Sequence, residues 1–189
     1  MKKNIGLFIC VMSSVITILC FSSNSIFFRS KLSKTSKLID LAYKYQDKGN
    51  HLKAIEYFSK LIKLDDTDAI AHYNRGWNHT QLNQYNLAIK DFDKVIQLGS
   101  YASRAYTNRG AIKYILGEYK DSIYDYDNAI KIDDKDLSVF YNRALSKIQL
   151  GEQDISICYD LEKSKSIKYF EVINSVSYTH LRAHETDRY

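Results

Sequence analysis

From residue 35 onward the apolar positions recur at helical rather than strand spacing, as in Ala54, Ile55, Phe58, Leu61 and Ile62 and again in Ala88, Ile89, Phe92, Val95 and Ile96. The two stripes lie 34 residues apart. Sliding the stretch from Ala69 to Ala102 by that period in either direction lands on a relative of itself. Gly76 returns as Gly110 and Ala144, with Ala42 before it, and Ala88 returns as Ser122, with Ala54 before it. A ring follows on each second stripe, at Phe58, Phe92 and Tyr126. Between the two small places stands Gly49, Asn83, Gly117 or Gly151, the residue types that best tolerate the left-handed conformation ending a helix. Each unit therefore reads as two short helices and a turn, pressed together where small side chains let two backbones approach. The predicted helices run 36–48, 51–64, 69–82, 85–98, 103–116, 119–132, 137–150 and 154–166.

On these residues the chain resembles the tetratricopeptide repeat family, whose units are helix-turn-helix pairs with a period of about 34 residues. The resemblance covers Thr35 to about Ser166 and divides into 35–68, 69–102, 103–136 and 137–166. It implies an all-α, right-handed superhelical solenoid of about four repeats, preceded here by an N-terminal hydrophobic helix. The chain departs from the family in having no proline, so Asp66, Ser100 and Asp134 stand at the unit boundaries, where Asp and Ser can cap the next helix. Arg75, Arg109 and Arg143 give the first helices an Asn-Arg-Gly or Asn-Arg-Ala run. The fourth unit is blurred at Ser156, Ile157 and Cys158, with the phase slipping by one residue before Leu161.

Charge changes the picture at the N-terminus. All six basic residues of Met1 to Lys37 lie in a stretch without an acidic one, leaving 21 of the 27 basic residues against all 22 acidic ones in the remainder. The formal net charge of +5 is thus no nucleic-acid footprint on the folded part. Lys2 and Lys3 precede the uncharged run Ile5 to Phe21, and 1–28 reads as a signal peptide or a membrane anchor joined to the array by a basic linker, 29–34. Lysines flank the run on both sides, which leaves its orientation open. At the other end, 167–175 reads as the start of a capping helix. The stretch VSYTHLRAHET within 176–189 breaks every periodicity and resembles sequencing-adapter read-through, a non-native tail.

No catalytic constellation stands out. His51, His72 and His79 read as packing or surface residues, Cys158 as an inert thiol, and the Asp65, Asp66, Asp68 and Asp133, Asp134, Asp136 groups as helix caps rather than calcium loops. The pattern predicts no enzyme, no metal and no cofactor. What it offers is a binding wall, which by the resemblance is the concave face lined by the first helix of each pair. Tyr43, Tyr73, Asn74, Trp77, Arg104, Asn108, Tyr114, Tyr141 and Asn142 are its candidate peptide-binding residues, with rings for area and amides for a partner's backbone. Ala42, Gly76, Gly110, Ala144, Ala54, Ala88 and Ser122 are the candidate contacts inside the repeats. Family members that grip acidic chaperone tails do so through Lys, Asn and Arg. The matching places here hold Ile39, Tyr43, Asn74, Arg104 and Asn108, of which only Asn74 agrees.

The expected function is a scaffold that binds a protein or peptide segment, membrane-anchored or secreted to an extracytoplasmic site. Two other readings stand beside it: an accessory domain of a larger, truncated enzyme or assembly factor, and self-association through the last repeat.

Overall fold

The computed structural model describes residues 33–152 and 154–164. The expected signal or anchor, the capping helix at 167–175 and the tail at 176–189 lie outside the described residues. Within them every regular element is a helix. These are α1 (33–47), α2 (His51–Leu64), α3 (Ala69–Gln81), α4 (Tyr85–Leu98), α5 (Ala102–Ile115), α6 (Tyr119–Ile132), α7 (Leu137–Leu150) and α8 (Ile155–Lys163). Those bounds fall within a few residues of the ones the periodicity predicts.

The chain divides into two compact units, the first ending at Leu64 and the second starting at Asp65. In the first, Gly49 at φ 69° lets the backbone double back after α1, and its N–H is donated to the Gln46 carbonyl at 2.9 Å. Ala42 of α1 and Ala54, Phe58 and Leu61 of α2 are buried, and Tyr43 meets the Phe58 ring edge-on at 5.6 Å. Tyr45 stacks on Tyr57 at 5.5 Å.

In the second unit α3 pairs with α4, α5 with α6 and α7 with α8, and each pair packs on the next. The pairing is close because of the small residues. A Cβ placed on Gly76 would stand 3.0 Å from Asp91 Cβ and 3.1 Å from the Phe92 ring, and one on Gly110 would stand 3.0 Å from the Tyr126 ring. Ala88 and Ser122, opposite them, are fully buried. Between pairs, Ala88, Phe92 and Val95 of α4 meet Ala105 and Ile112 of α5, while Tyr126 and Ala129 of α6 meet Val139 of α7. Burying a ring such as Phe92 stabilises by ~1.5–3 kcal/mol. α5 touches α3, α4, α6 and α7, so its apolar residues are not confined to one stripe.

The fourth unit reaches the same packing by a different route. α8 starts four residues after the left-handed Gly151, whereas α4 and α6 start two after Asn83 and Gly117. Its inward residues are consequently Ile157 and Leu161, 35 rather than 34 residues after Ser122 and Tyr126. They close on Ala144.

The unit boundaries differ from expectation. The caps are Asp68, which accepts from Ala71 N at 3.0 Å, and Asp136, which accepts from Ser138 N at 3.1 Å. Asp66 and Asp134 stand two residues before those caps. Ser100 caps nothing either: Gly99 ends α4 at φ 79° and Tyr101 occupies the next N-cap at φ 60° without a side-chain bond.

Candidate functional site

The first helices carry two sets of polar side chains, one turned toward the second helices and one toward solvent. The inward set is a ladder of buried ion pairs. Asp91 Oδ2 accepts from Arg75 Nε at 2.9 Å and its Oδ1 accepts from Arg75 Nη2 at 2.6 Å. Arg109 binds Asp125 with the same forked geometry, 2.9 and 2.6 Å. Arg143 holds Asp160 likewise, with Nε to Oδ2 at 2.9 Å. A second basic side chain completes each site: His72 Nδ1 lies 3.2 Å from Asp91, Lys113 Nζ 2.9 Å from Asp125 and Lys147 Nζ 3.0 Å from Asp160. The third guanidinium nitrogen reaches back one repeat, from Arg109 to Asp93 and from Arg143 to Asp127, the latter at 2.6 Å.

Burial acts to lower the affinity of Arg109 for its proton, but the hydrogen bonds and charges of Asp125 and Asp93 outweigh it, so the guanidinium is held charged more firmly than in water. Arg143 is shifted the same way by Asp160 and Asp127. Among the described residues no buried side-chain nitrogen or oxygen lacks a hydrogen-bond partner. Each carboxylate is held by three contacts, and the arginines fix α5 and α7 each against two second helices and α3 against α4. This ladder escaped the sequence reading. Its signal was an Asp placed 16 residues after Arg75 and Arg109 and 17 after Arg143.

His72 and His79 are likewise built in. His72 lies between Asp91 and the Asp66 carbonyl, at 3.2 Å from each, and His79 Nδ1 lies 2.6 Å from Gln84 Oε1. Cys158 is exposed, and among the described residues no group of three or more His, Cys, Asp or Glu could hold a metal.

The outward set contains the candidate wall. In the second unit α3, α5 and α7 lie side by side. Tyr73 leans on Phe92 and Tyr101, with ring centroids 5.9 and 6.2 Å away, and its hydroxyl accepts from Asn108 Nδ2 at 2.9 Å. That bond ties α3 to α5. Asn74 turns its amide to the Ile70 carbonyl of its own helix at 2.9 Å. Arg104 is exposed and lies over the Tyr101 ring at 5.9 Å. Trp77 is half-buried, and Tyr141 packs partly against Ala144, Ile157 and Leu161. Tyr114 meets Tyr119 at 5.5 Å and shares a pocket of about 170 Å³ with Asn142, closed by Ala111, Ile115, Tyr126 and Leu145. Tyr43 stands in the first unit, partly exposed beside Phe58. The structure thus joins Tyr73 to Asn108 and Tyr114 to Asn142.

The family model for the tetratricopeptide repeat matches residues 38–68 and, directly following, 69–100. Residues 38–100 are tetratricopeptide repeats. Solved structures share the chain's fold. MamA from Desulfovibrio magneticus RS-1, in a form running from residue 41 to its end, is 19% identical with a TM-score of 0.67 over 82% of this chain and 96% of that one. A crystal structure of MamA protein is 25% identical, TM-score 0.64, over 71% and 73%. The first tetratricopeptide domain of Spaghetti (RPAP3), bound to the HSP90 peptide SRMEEVD, is 20% identical, TM-score 0.60, over 64% and 95%. No curated protein sequence matches this chain.

Proposed function

We propose that this protein is a non-enzymatic scaffold that binds an extended protein segment along the wall formed by α3, α5 and α7. The observation that carries the reading is the division of labour on those helices. Their inward charges are consumed by the Arg–Asp ladder, while Tyr73, Trp77, Tyr114 and Asn142 keep partly exposed rings and amides on the other side. Rings supply contact area at low entropic cost and amides match a peptide backbone. The peptide seen on the Spaghetti domain, a protein of the same fold, supports this choice of ligand class. Its acidic tail is not the ligand we favour, since Asn108 is committed to Tyr73 and Ile39 and Tyr43 bring no charge.

We further propose that 1–28 holds the array at a membrane or directs its export, on the strength of Lys2 and Lys3 before an apolar run. Among the described residues no helix is long and apolar enough to cross a membrane, so this part of the reading stands on 1–28 alone.

The test is selection of a random dodecapeptide library on the full-length chain, followed by titration of the enriched peptide. We expect micromolar binding, weakened at least tenfold by Trp77→Ala and by Tyr73→Ala. Enriched peptides whose affinity is indifferent to both substitutions would remove the wall as the binding site.

A further inference from the structure

We infer that the pocket between α5 and α7 is a specificity site for one large apolar side chain, leucine, methionine or phenylalanine, carried by a segment lying on the α3–α5–α7 wall. This rests on the binding reading above and adds what the segment must contain. A volume of about 170 Å³ is too small for an independent ligand, since small-molecule sites run from ~300 Å³ upward, but is open enough to admit a side chain delivered on a backbone.

The pocket exists because the repeats differ at one place. Trp77 on α3 corresponds to Ala111 on α5, one period later, and to Leu145 on α7. Where the first of these positions puts an indole on the wall, the second puts a methyl, and the wall recedes beside Tyr114. The floor is the buried Tyr126, fixed among Ala129, Val139 and the Tyr106 ring, so the cavity does not collapse when empty. No charged side chain lines it, and a Lys or Glu entering would lose its hydration without a counter-charge.

The rim adds a second and independent feature. Asn74 and Asn108 spend their amides on Ile70 and Tyr73, whereas the place matching Tyr73 beside Asn142 is Thr107, whose hydroxyl turns to the Ser103 carbonyl. The Asn142 side-chain amide has no partner among the described residues and is only half-buried. It offers one acceptor and two donors at the pocket mouth, the set that a peptide unit on either side of an inserted residue would use.

The experiment uses the full-length chain in lipid nanodiscs and the capped peptide Ser-Gly-X-Gly-Ser with photo-leucine at X. Cross-links, mapped by mass spectrometry, are expected on the segments around Ala111–Ile115 and Asn142–Leu145. Unlabelled peptides with X as Leu or Phe should compete at least tenfold better than those with Ala or Lys. Ala111→Trp, which gives α5 the side chain of α3, should abolish the cross-link while leaving the helical circular dichroism and its melting curve in place. If that variant fails to fold, Asn142→Ala carries the test, with an expected loss of about fivefold in competition by the Leu peptide. Competition by Ala equal to that by Leu overturns the pocket. Cross-links confined to Tyr73 and Trp77 also overturn it and leave the wall standing, whereas no specific cross-link anywhere on α3, α5 or α7 defeats both.

Discussion

Gly110→Ala adds one methyl at the closest approach of α5 and α6. Two opposing effects decide its sign. Alanine is favoured over glycine in a helix interior by ~1 kcal/mol, which stabilises. Against this, the new Cβ would stand 3.0 and 3.2 Å from the Tyr126 ring and 3.2 Å from Asp125 Cβ. Neither neighbour can yield: Tyr126 is 1% exposed, and Asp125 is tied by Arg109 and Lys113 back to α5 itself. Overpacking costs ~1–3 kcal/mol, and with two unyielding neighbours it falls in the upper part of that range, ~2–3 kcal/mol, so the net change is a destabilisation of ~1–2 kcal/mol. Tyr126→Leu alone leaves a hole and costs ~2 kcal/mol or somewhat more. The two together reproduce the pairing of Ala144 with Leu161 in the fourth unit, where the methyl occupies part of the space a ring would fill. The double variant should therefore lose only ~2 kcal/mol in all, a coupling of ~1–1.5 kcal/mol in favour of the pair. Urea unfolding followed by circular dichroism resolves this, because at ~2 kcal/mol per molar the coupling moves the midpoint by ~0.5–0.7 M. Additivity of the two single changes within ~0.5 kcal/mol would refute the idea that a methyl at 110 and the Tyr126 ring compete for one space.

The Arg109 guanidinium joins one buried and one exposed carboxylate, and the two should differ sharply when neutralised. Asp125→Asn strands Arg109 and Lys113 beside a buried site and should cost ~3–5 kcal/mol, whereas Asp93→Asn at the surface should cost under ~1 kcal/mol; equal urea midpoints for the two variants would show that burial is not what gives the pair its weight. Burial holds the Tyr126 hydroxyl well above its ordinary value of 10.0, so the unfolded chain gives up that proton first and stability falls as pH rises past about 10. Tyr126→Phe should flatten that decline by up to ~1.4 kcal/mol per pH unit, measured as urea midpoints between pH 9 and 11, and an unchanged slope would count against the assignment.

How much of this was visible in the sequence depends on the range of the interaction. Turn ends were legible because the requirement is local: Gly49, Asn83, Gly117 and Gly151 all have positive φ, as the end of a helix needs. Helix α6 was legible to the residue because a stripe ending at Ile130 and a turn opening at Gly117 bracket it. The acidic groups holding Asp68 and Asp136 read as caps, but not which member caps, since an acidic cluster tells that a cap is present and only backbone direction tells which oxygen reaches the amide. The Arg–Asp ladder was missed because its partners sit on different helices, outside any 3.6-residue pattern, although the 16-residue offset recurs in plain view. For the wall, helical spacing gives the direction of Tyr73 and Asn108 but not that each satisfies the other, which depends on how far α5 is shifted along α3.

Within an array of this kind, sameness and difference between repeats carry separate information. Places where the units agree, such as Gly76 with Gly110 and the arginines one residue before them, are the ones whose neighbours in the structure are other parts of the array, at 3.0–3.3 Å or through paired charges. Every unit must solve that packing problem, so the solution repeats. The column Trp77, Ala111, Leu145 is half-buried at every step and changes from large to small to intermediate. Unevenness of shape with retained apolarity is what a surface shows when it must fit a chain whose successive side chains differ in size, and the recess at Ala111 is where such a chain would place its largest apolar residue.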